Sequence, residues 1–159
     1  MSIGASLRKN KHFAVLPPAD IEALERAFTF SGVKVGDQIF SEGDRDEAIY
    51  LLREGEVEVT QYERRRVHNL RHLHAGELFG MHAVIEGRRR GASCAAVTDA
   101  TLGVLPTAAV SPLFNQSGPL AYASQKALAV QLAHDFREAD KRLRALVHPE
   151  AGRPDASPR

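Results

Sequence analysis

The spacing of apolar residues divides the chain into a helical start, a β-rich middle and a helical end. Residues 7–30 predict a helix, because Ile21, Leu24 and Phe28 recur at the three- and four-residue spacing of one helix face. Pro18 stands where the first turn of a helix tolerates proline. The first segment is therefore expected to be a helical lead-in to the domain.

Residues 31–106 change to short apolar runs that are separated by glycine turns. Val57 and Val59 alternate with polar neighbours, which is typical of a strand with one buried face. Glycines followed by aspartate, such as Gly36 and Gly43, are turn signals between such runs. Many short strands with frequent turns predict a mainly β fold, a sandwich or barrel of the jelly-roll kind.

Residues 119–147 predict a long amphipathic helix. Leu132, Phe136 and Ala139 belong to a narrow apolar seam at alternating three- and four-residue spacing, a pattern that can pair two helices. The seam either packs on the chain's own β-roll or pairs with the same helix of a second copy. We favour the second interpretation, a homodimer through this helix. Residues 148–159 contain three prolines and no large apolar residue, so they predict a disordered tail.

Composition excludes several classes of protein. Apolar residues make up 43% of the 159 residues, which is enough for a buried core and too many for a disordered chain. No apolar run approaches the roughly 20 residues of a membrane helix, and the polar start lacks a signal-peptide core. A single cysteine, Cys94, excludes an internal disulfide framework and favours a cytoplasmic location. The net charge of +1 argues against a protein that mainly grips the nucleic-acid backbone.

Four spaced blocks carry a resemblance to a known family. They read LRKNKHFAVLPPADIEALERAF, VKVGDQIFSEGDRDEAIYLLREGEVEV, HAGELFG and RGASCAAVTDATLGVL. In this order and spacing the chain resembles the cyclic-nucleotide-binding domains of the catabolite-activator and kinase-regulatory-subunit type. The resemblance implies one domain over residues 1–147. Its fold would be a cyclic-nucleotide-binding-type β-roll, a double-stranded β-helix, with an N-terminal helical lead-in and a long C-terminal helix.

The resemblance also implies a phosphate-binding cassette that follows HAGELFG. A phosphodiester buried in a β-roll needs a paired cation and N–H donors, and arginine offers a fork of charged donors. Arg90 stands at the family's phosphate-binding position, while Arg88 and Arg89 are expected to face solvent. Phe136 or Arg137 is expected to stack on the base. The expected ligand-binding residues are Gly80, Met81, His82, Ala83, Arg90, Gly91, Ala92 and Ser93.

One residue departs from the family pattern. Met81 stands where the family has a glutamate that holds the ribose 2′-hydroxyl, and a thioether is only a weak acceptor. Losing a charge-assisted hydrogen bond costs about 1.5–3 kcal/mol. The departure leaves three possibilities: weakened nucleotide binding with a substitute such as His82, a different ligand, or a pocket that binds no ligand.

A second motif gives a different interpretation. His72, His74 and Glu77 form an H-x-H-x-x-E string that resembles the metal motif of cupins, which share the double-stranded roll. The stretch from Ser93 to Leu105 lacks the later histidine of that pattern. An exposed polar strand face is therefore preferred, and no metal site is predicted. No catalytic triad or P-loop stands out, so the chain is not expected to be an enzyme.

These observations predict a cytoplasmic regulatory module, a sensor of bacterial type. It would bind cyclic AMP or another cyclic nucleotide in the β-roll, without a further cofactor. The C-terminal helix would transmit binding to a dimer or a protein partner. Catabolite activators continue into a helix-turn-helix after this point, whereas only a short tail follows residue 147 here, so direct DNA binding is not expected. A membrane partner is not expected either. The alternatives are a protein-interaction module with a degenerate pocket and, less favoured, a cupin-like metal-binding protein.

Overall fold

Two four-stranded antiparallel sheets form the body of the computed structural model, which describes residues 16–46, 48–106, 108–109, 117 and 119–148. Their strand orders are β1-β8-β3-β6 and β2-β7-β4-β5, so sequence neighbours are mostly separated within a sheet. This arrangement confirms the predicted β-roll. The strands are β1 (Thr29–Val33), β2 (Gln38–Phe40), β3 (Ile49–Glu54), β4 (Val57–Glu63), β5 (Arg66–Leu73), β6 (Leu78–Phe79), β7 (Ser93–Ala96) and β8 (Ala100–Leu105).

The described helices are α1 (Pro18–Arg26), α2 (Met81–Glu86) and α3 (Pro119–Val147). The bounds of α3 match the prediction of a helix over residues 119–147. None of the described helices is long and apolar enough to cross a membrane. The prediction of helix up to residue 30 was wrong at its end, because Thr29 already begins β1. Residues 7–15 of the predicted lead-in and the tail from residue 149 lie outside the described residues.

Strand β3 lies between two apolar clusters that form the core. Its Ile49 and Leu51 side chains belong to the cluster beneath α1 and α3, whereas Tyr50 and Leu52 belong to the cluster inside the roll. Successive side chains of a strand point to opposite faces, so four consecutive large residues can all be buried when both faces are covered. Cys94 belongs to the inner cluster, where burial raises the pKa of its thiol to about 12. It is a small buried residue, as predicted.

The buried apolar contacts between the C-terminal helix and the body come from its first half. Ala127, Leu128 and Gln131 are buried there, whereas Phe136 is 73% exposed and Leu146 is 81% exposed. The buried face of α3 therefore differs from the apolar seam that was predicted to pair two helices. The second half of α3 presents apolar side chains to solvent among the described residues, and the predicted pairing of two such helices stays a prediction.

Candidate functional site

A cavity of about 610 Å³ lies between the roll, α2 and α3. Its floor is formed by strands of the roll, and its outer wall by the middle of α3. Most of its lining side chains are apolar. The residues that line it are Phe40, Val59, Leu70, Arg71, Leu73, Phe79, Gly80, Met81, His82, Ala83, Arg90, Gly91, Ala92, Leu132, Asp135, Phe136, Ala139 and Arg142.

Gly80 makes the sharp connection from β6 into α2. Its φ is +82°, in the left-handed region where side chains are disfavoured. A Cβ at this position would lie 2.9 Å from Nη1 of Arg90 and 3.1 Å from the ring of Tyr50. Glycine therefore lets Arg90 pass directly beneath the start of α2. Met81 follows it, only 1% exposed, and packs into the core cluster beneath α3 while it also lines the cavity.

Arg90 is buried in the cavity wall, with 3% of its surface exposed. It donates hydrogen bonds to the carbonyl oxygens of Gly80 and, at 2.7 Å from Nη2, of Ala48. Its guanidinium carbon lies 4.3 Å from the centre of the Phe40 ring, a cation–π arrangement. Its Nε is buried and has no hydrogen-bond partner in the structure. One charged donor in this wall is thus left without an acceptor.

Asp46 supplies the counter-charge to Arg90. Its Oδ2 lies 3.2 Å from Nη2 of Arg90 and accepts a hydrogen bond of 2.5 Å from the Tyr50 hydroxyl. Burial and this carboxylate raise the pKa of Tyr50, so the phenol stays protonated and donates. The sequence interpretation missed Asp46. Asp46 lies four residues before Tyr50 in the sequence, just ahead of β3, and that short separation is the signal that was available.

The cavity brings together most of the residues that the resemblance implied. Gly80, Met81, His82, Ala83, Arg90, Gly91, Ala92 and Phe136 line it. Ser93 and Arg137 are outside this lining. The Ser93 hydroxyl instead accepts a 2.9 Å hydrogen bond from the backbone N–H of Glu42, because β7 turns that side chain away from the cavity. Arg137 lies on an exposed face of α3.

A polar cluster joins α3 to the roll and to α2; we call it the Asp135 network. Arg71 of β5 donates to Asp135 at 2.5 Å and to Glu77 at 2.9 Å. Gln131 donates to Asp135 at 3.0 Å and accepts the backbone N–H of Leu78 at 3.1 Å. Nε2 of His82 lies 3.4 Å from the other oxygen of Asp135. The cluster therefore fixes α3 against α2 beside the cavity, and sequence spacing gave no sign of it.

Charges in the Asp135 network shift two pKa values in opposite directions. The hydrogen bond to Asp135 raises the pKa of His82 above its usual 6.5, even though burial opposes this. Burial alone would raise the pKa of Asp135, but hydrogen bonds from His82, Arg71 and Gln131 outweigh it and lower the pKa. Glu86 also favours protonated His82, whereas Arg71 disfavours it. The contact between α2 and α3 is therefore stronger when His82 carries its proton.

We expect the contribution of His82 to stability to depend on pH. Because the pKa of His82 is higher in the folded chain, its stabilising contribution is complete below pH 6.5, the unfolded value, and is lost as pH rises through the folded pKa. The melting temperature of His82→Gln should therefore fall furthest below that of the unsubstituted protein near pH 5, and the gap should narrow towards pH 8. His68→Gln, on the exposed face of β5, is the matched control. A gap that stays constant with pH would contradict the expectation.

The H-x-H-x-x-E residues have other partners in the structure. Nε2 of His72 lies 3.2 Å from the Asn69 amide, and Nδ1 of His74 lies 3.7 Å from Glu56. Glu77 accepts from Arg71 and from the backbone N–H of His74. Among the described residues, no group of three or more histidine, cysteine, aspartate or glutamate side chains is placed to hold a metal ion.

Fold and cavity together define a class of protein, a β-roll domain with a buried arginine in the wall of its cavity. The family model of the cyclic nucleotide-binding domain matches residues 32–117, more than half of the chain. The chain therefore belongs to the cyclic nucleotide-binding domain family, and it is regulatory in type. No curated protein gives a significant match.

Solved structures show the same relationship. A cyclic nucleotide-binding domain from Methylobacillus flagellatus KT superposes with a TM-score of 0.76 at 25% identity, covering 88% of this chain and 79% of that one. The catabolite activator protein of Thermus thermophilus has a TM-score of 0.71 at 29% identity, and the match covers 87% of this chain and 63% of that protein. The c-di-GMP responsive regulator CLP of Xanthomonas campestris shares the fold, with a TM-score of 0.74 at 21% identity over 83% of this chain and 65% of that one.

Proposed function

We propose that this protein binds a cyclic nucleotide in the cavity and that binding alters the position of α3. The observation that carries the proposal is Arg90. It is a buried arginine with an unpartnered Nε, in a cavity of about 610 Å³, in a member of the cyclic nucleotide-binding domain family. Cyclic AMP is the first ligand to test, and the other cyclic nucleotides share its anionic group.

The charge balance of the site supports an anionic ligand. Burying a phosphodiester is costly unless charged donors meet it, and an arginine fork meets it with short, strong hydrogen bonds. Arg90 already shares its charge with Asp46, so an incoming phosphate competes with that carboxylate for the guanidinium. Gly91 and Ala92 leave space beside Arg90, because neither carries a large side chain. The phosphate would lie here, between Gly80 and Gly91.

Transmission would pass through the wall that α3 contributes. Leu132, Asp135 and Phe136 line the cavity, so a ligand touches the same helix whose far half is exposed. A ligand shifts such a helix only if it has different affinities for its two positions. The exposed apolar residues Phe136, Leu143 and Leu146 would then form the output surface, which we assign to a second copy of the chain or to a protein partner.

A thermal-unfolding titration with cyclic AMP, cyclic GMP and cyclic di-GMP tests the proposal. Binding to the folded state adds about 2.7 kcal/mol at a hundredfold excess over Kd. For a domain of this size, that gain raises the melting temperature by about 5 °C or more. We expect a saturable rise for at least one of the three. Inorganic phosphate at the same concentration is the control, since it lacks the base and sugar. No rise at millimolar cyclic nucleotide would contradict the proposal and favour a module that acts through protein contacts alone.

A further inference from the structure

Positive charge outnumbers negative charge in the lining of the cavity. Three arginines, Arg71, Arg90 and Arg142, line it, and Asp135 is the single carboxylate among its described lining residues. Nη1 of Arg71 lies 2.5 Å from Oδ1 of Asp135, and Nη2 of Arg90 lies 3.2 Å from Oδ2 of Asp46, which is outside the lining. Two of the three arginines therefore already have a counter-charge, and the third is Arg142.

Arg142 is an exposed residue of α3 whose side chain has no ion pair or hydrogen bond within the part of the chain that the structure describes. The two acidic residues that precede it most closely are engaged with other basic residues. Oε1 of Glu138 lies 3.3 Å from Nζ of Lys141, and Oδ2 of Asp140 lies 3.0 Å from Nε of Arg144. Arg142 therefore brings to the cavity a positive charge with which no described carboxylate pairs.

Arg142 and Arg90 belong to opposite ends of the wall that α3 contributes. That wall is one stripe of the helix, about 15 Å long, formed by Leu132, Asp135, Phe136, Ala139 and Arg142. Arg142 follows Asp135 by seven residues, so it lies two turns and about 10 Å further along the same face. Arg90 belongs to the Asp135 end, because it donates to the carbonyl of Gly80. His82, two residues after Gly80, brings its Nε2 to 3.4 Å from Oδ2 of Asp135. The two cations are therefore set apart along the cavity.

We propose that the cavity takes a cyclic dinucleotide, with one phosphodiester at Arg90 and the second at Arg142. This inference rests on the proposed function and names the class of ligand for the same site. A ligand with one phosphodiester would meet Arg90 and leave Arg142 without a counter-charge, whereas a second phosphodiester supplies one. A polyphosphate chain suits this arrangement less well, because its charges are contiguous and the two arginines are set apart. Phe136 and Ala139 precede Arg142 on the same stripe and offer an apolar wall to the sugars and bases.

Calorimetric titration with two matched pairs of ligands tests this inference. Cyclic di-GMP is compared with cyclic GMP, and cyclic di-AMP with cyclic AMP, so that each dinucleotide has a counterpart with the same base and one phosphodiester. We expect the dinucleotide of at least one pair to bind more tightly by about tenfold or more, the gain from a charge-assisted contact with Arg142. GTP is the control for negative charge alone and should bind more weakly than that dinucleotide. A smaller preference in both pairs, or GTP binding as tight as that of the dinucleotide, would overturn the inference and leave the proposed function standing.

Arg142→Gln locates the second phosphodiester, and Arg137→Gln is its matched control, because Arg137 is exposed on the same helix and lies outside the lining. Each variant loses one surface charge, so both should fold with a nearly unchanged melting temperature. We expect Arg142→Gln to weaken binding of the dinucleotide by about tenfold and that of its mononucleotide by less than about twofold, and Arg137→Gln to change either by less than about twofold. Equal losses in the two variants, or no loss in Arg142→Gln, would also overturn the inference. Absence of saturable binding by all four cyclic ligands contradicts the proposed function, and the inference falls with it.

Discussion

Replacing Arg90 with methionine should weaken cyclic nucleotide binding by about a hundredfold or more. The substitution removes the buried charged donors, and each charge-assisted hydrogen bond contributes about 1.5–3 kcal/mol. Two such bonds correspond to at least a hundredfold in Kd. Calorimetric titration of the unsubstituted and variant proteins with the same ligand measures the loss directly.

The same substitution should also destabilise the fold. Arg90 holds the carbonyls of Gly80 and Ala48 and pairs with Asp46, so its removal leaves buried acceptors without their donor. Breaking a buried pair typically costs about 3–5 kcal/mol. The Asp46 side chain is 25% exposed and keeps its hydrogen bond from Tyr50, so we expect about 2–3 kcal/mol here. Urea denaturation measures this loss in the free energy of unfolding. The ligand titrations are carried out below the melting temperature of the variant.

The run of three arginines provides the controls. Arg88→Met removes a side chain that is 78% exposed, so stability should change by no more than about 0.5 kcal/mol, with no change in affinity. Arg90→Lys keeps the charge but loses the fork, so it should recover part of the stability and little of the affinity. A folded Arg90→Met protein that binds as tightly as the unsubstituted chain would show that the ligand lies elsewhere.

The sequence predicted those features that depend on local spacing. The bounds of α3 follow from its apolar spacing and from Pro119 at its start, whereas Gly80 was singled out through the family resemblance. The β-roll followed from the frequency of turns together with the family resemblance. Arg90 could be singled out from its two neighbours only through that resemblance, because three consecutive arginines are locally equivalent. The structure distinguishes them by burial, since Arg90 is 3% exposed.

Features that depend on distant partners could not be predicted. Asp46 and Arg90 are far apart in sequence and meet because backbone hydrogen bonds between Arg90 and residues 43 and 44 join the segment before β3 to the segment before β7. Asp135 meets Arg71 for a similar reason, across the gap between α3 and β5. The helical spacing that ends at Phe28 gave no warning of β1, which forms because residues from Thr29 pair with β8. Tertiary pairing there overrides the local pattern.

Gly55→Ala should be among the most destabilising single substitutions in the chain, with a loss of about 4 kcal/mol or more in the free energy of unfolding. Gly55 has a φ of +90° between β3 and β4. An added Cβ would lie 2.5 Å from the carbonyl oxygen of Asp99 and 2.8 Å from the Cα of Ala100. Those atoms are backbone at the start of β8, so they cannot move aside as a flexible side chain would. Either β8 shifts or the turn opens, and both disturb the sheet that contains β3.

Gly43→Ala separates this steric effect from backbone strain. Gly43 has a φ of +89°, almost the same as that of Gly55, but an added Cβ would meet nothing within 4 Å. The strain of placing alanine in the left-handed region costs about 1–2 kcal/mol and should be similar at both positions. Urea denaturation of the two variants should therefore differ by about 2 kcal/mol or more, and the difference measures the contact with β8. Equal losses would show that the turn at Gly55 relaxes freely, and the close approach of its backbone to Asp99 would then contribute nothing to stability.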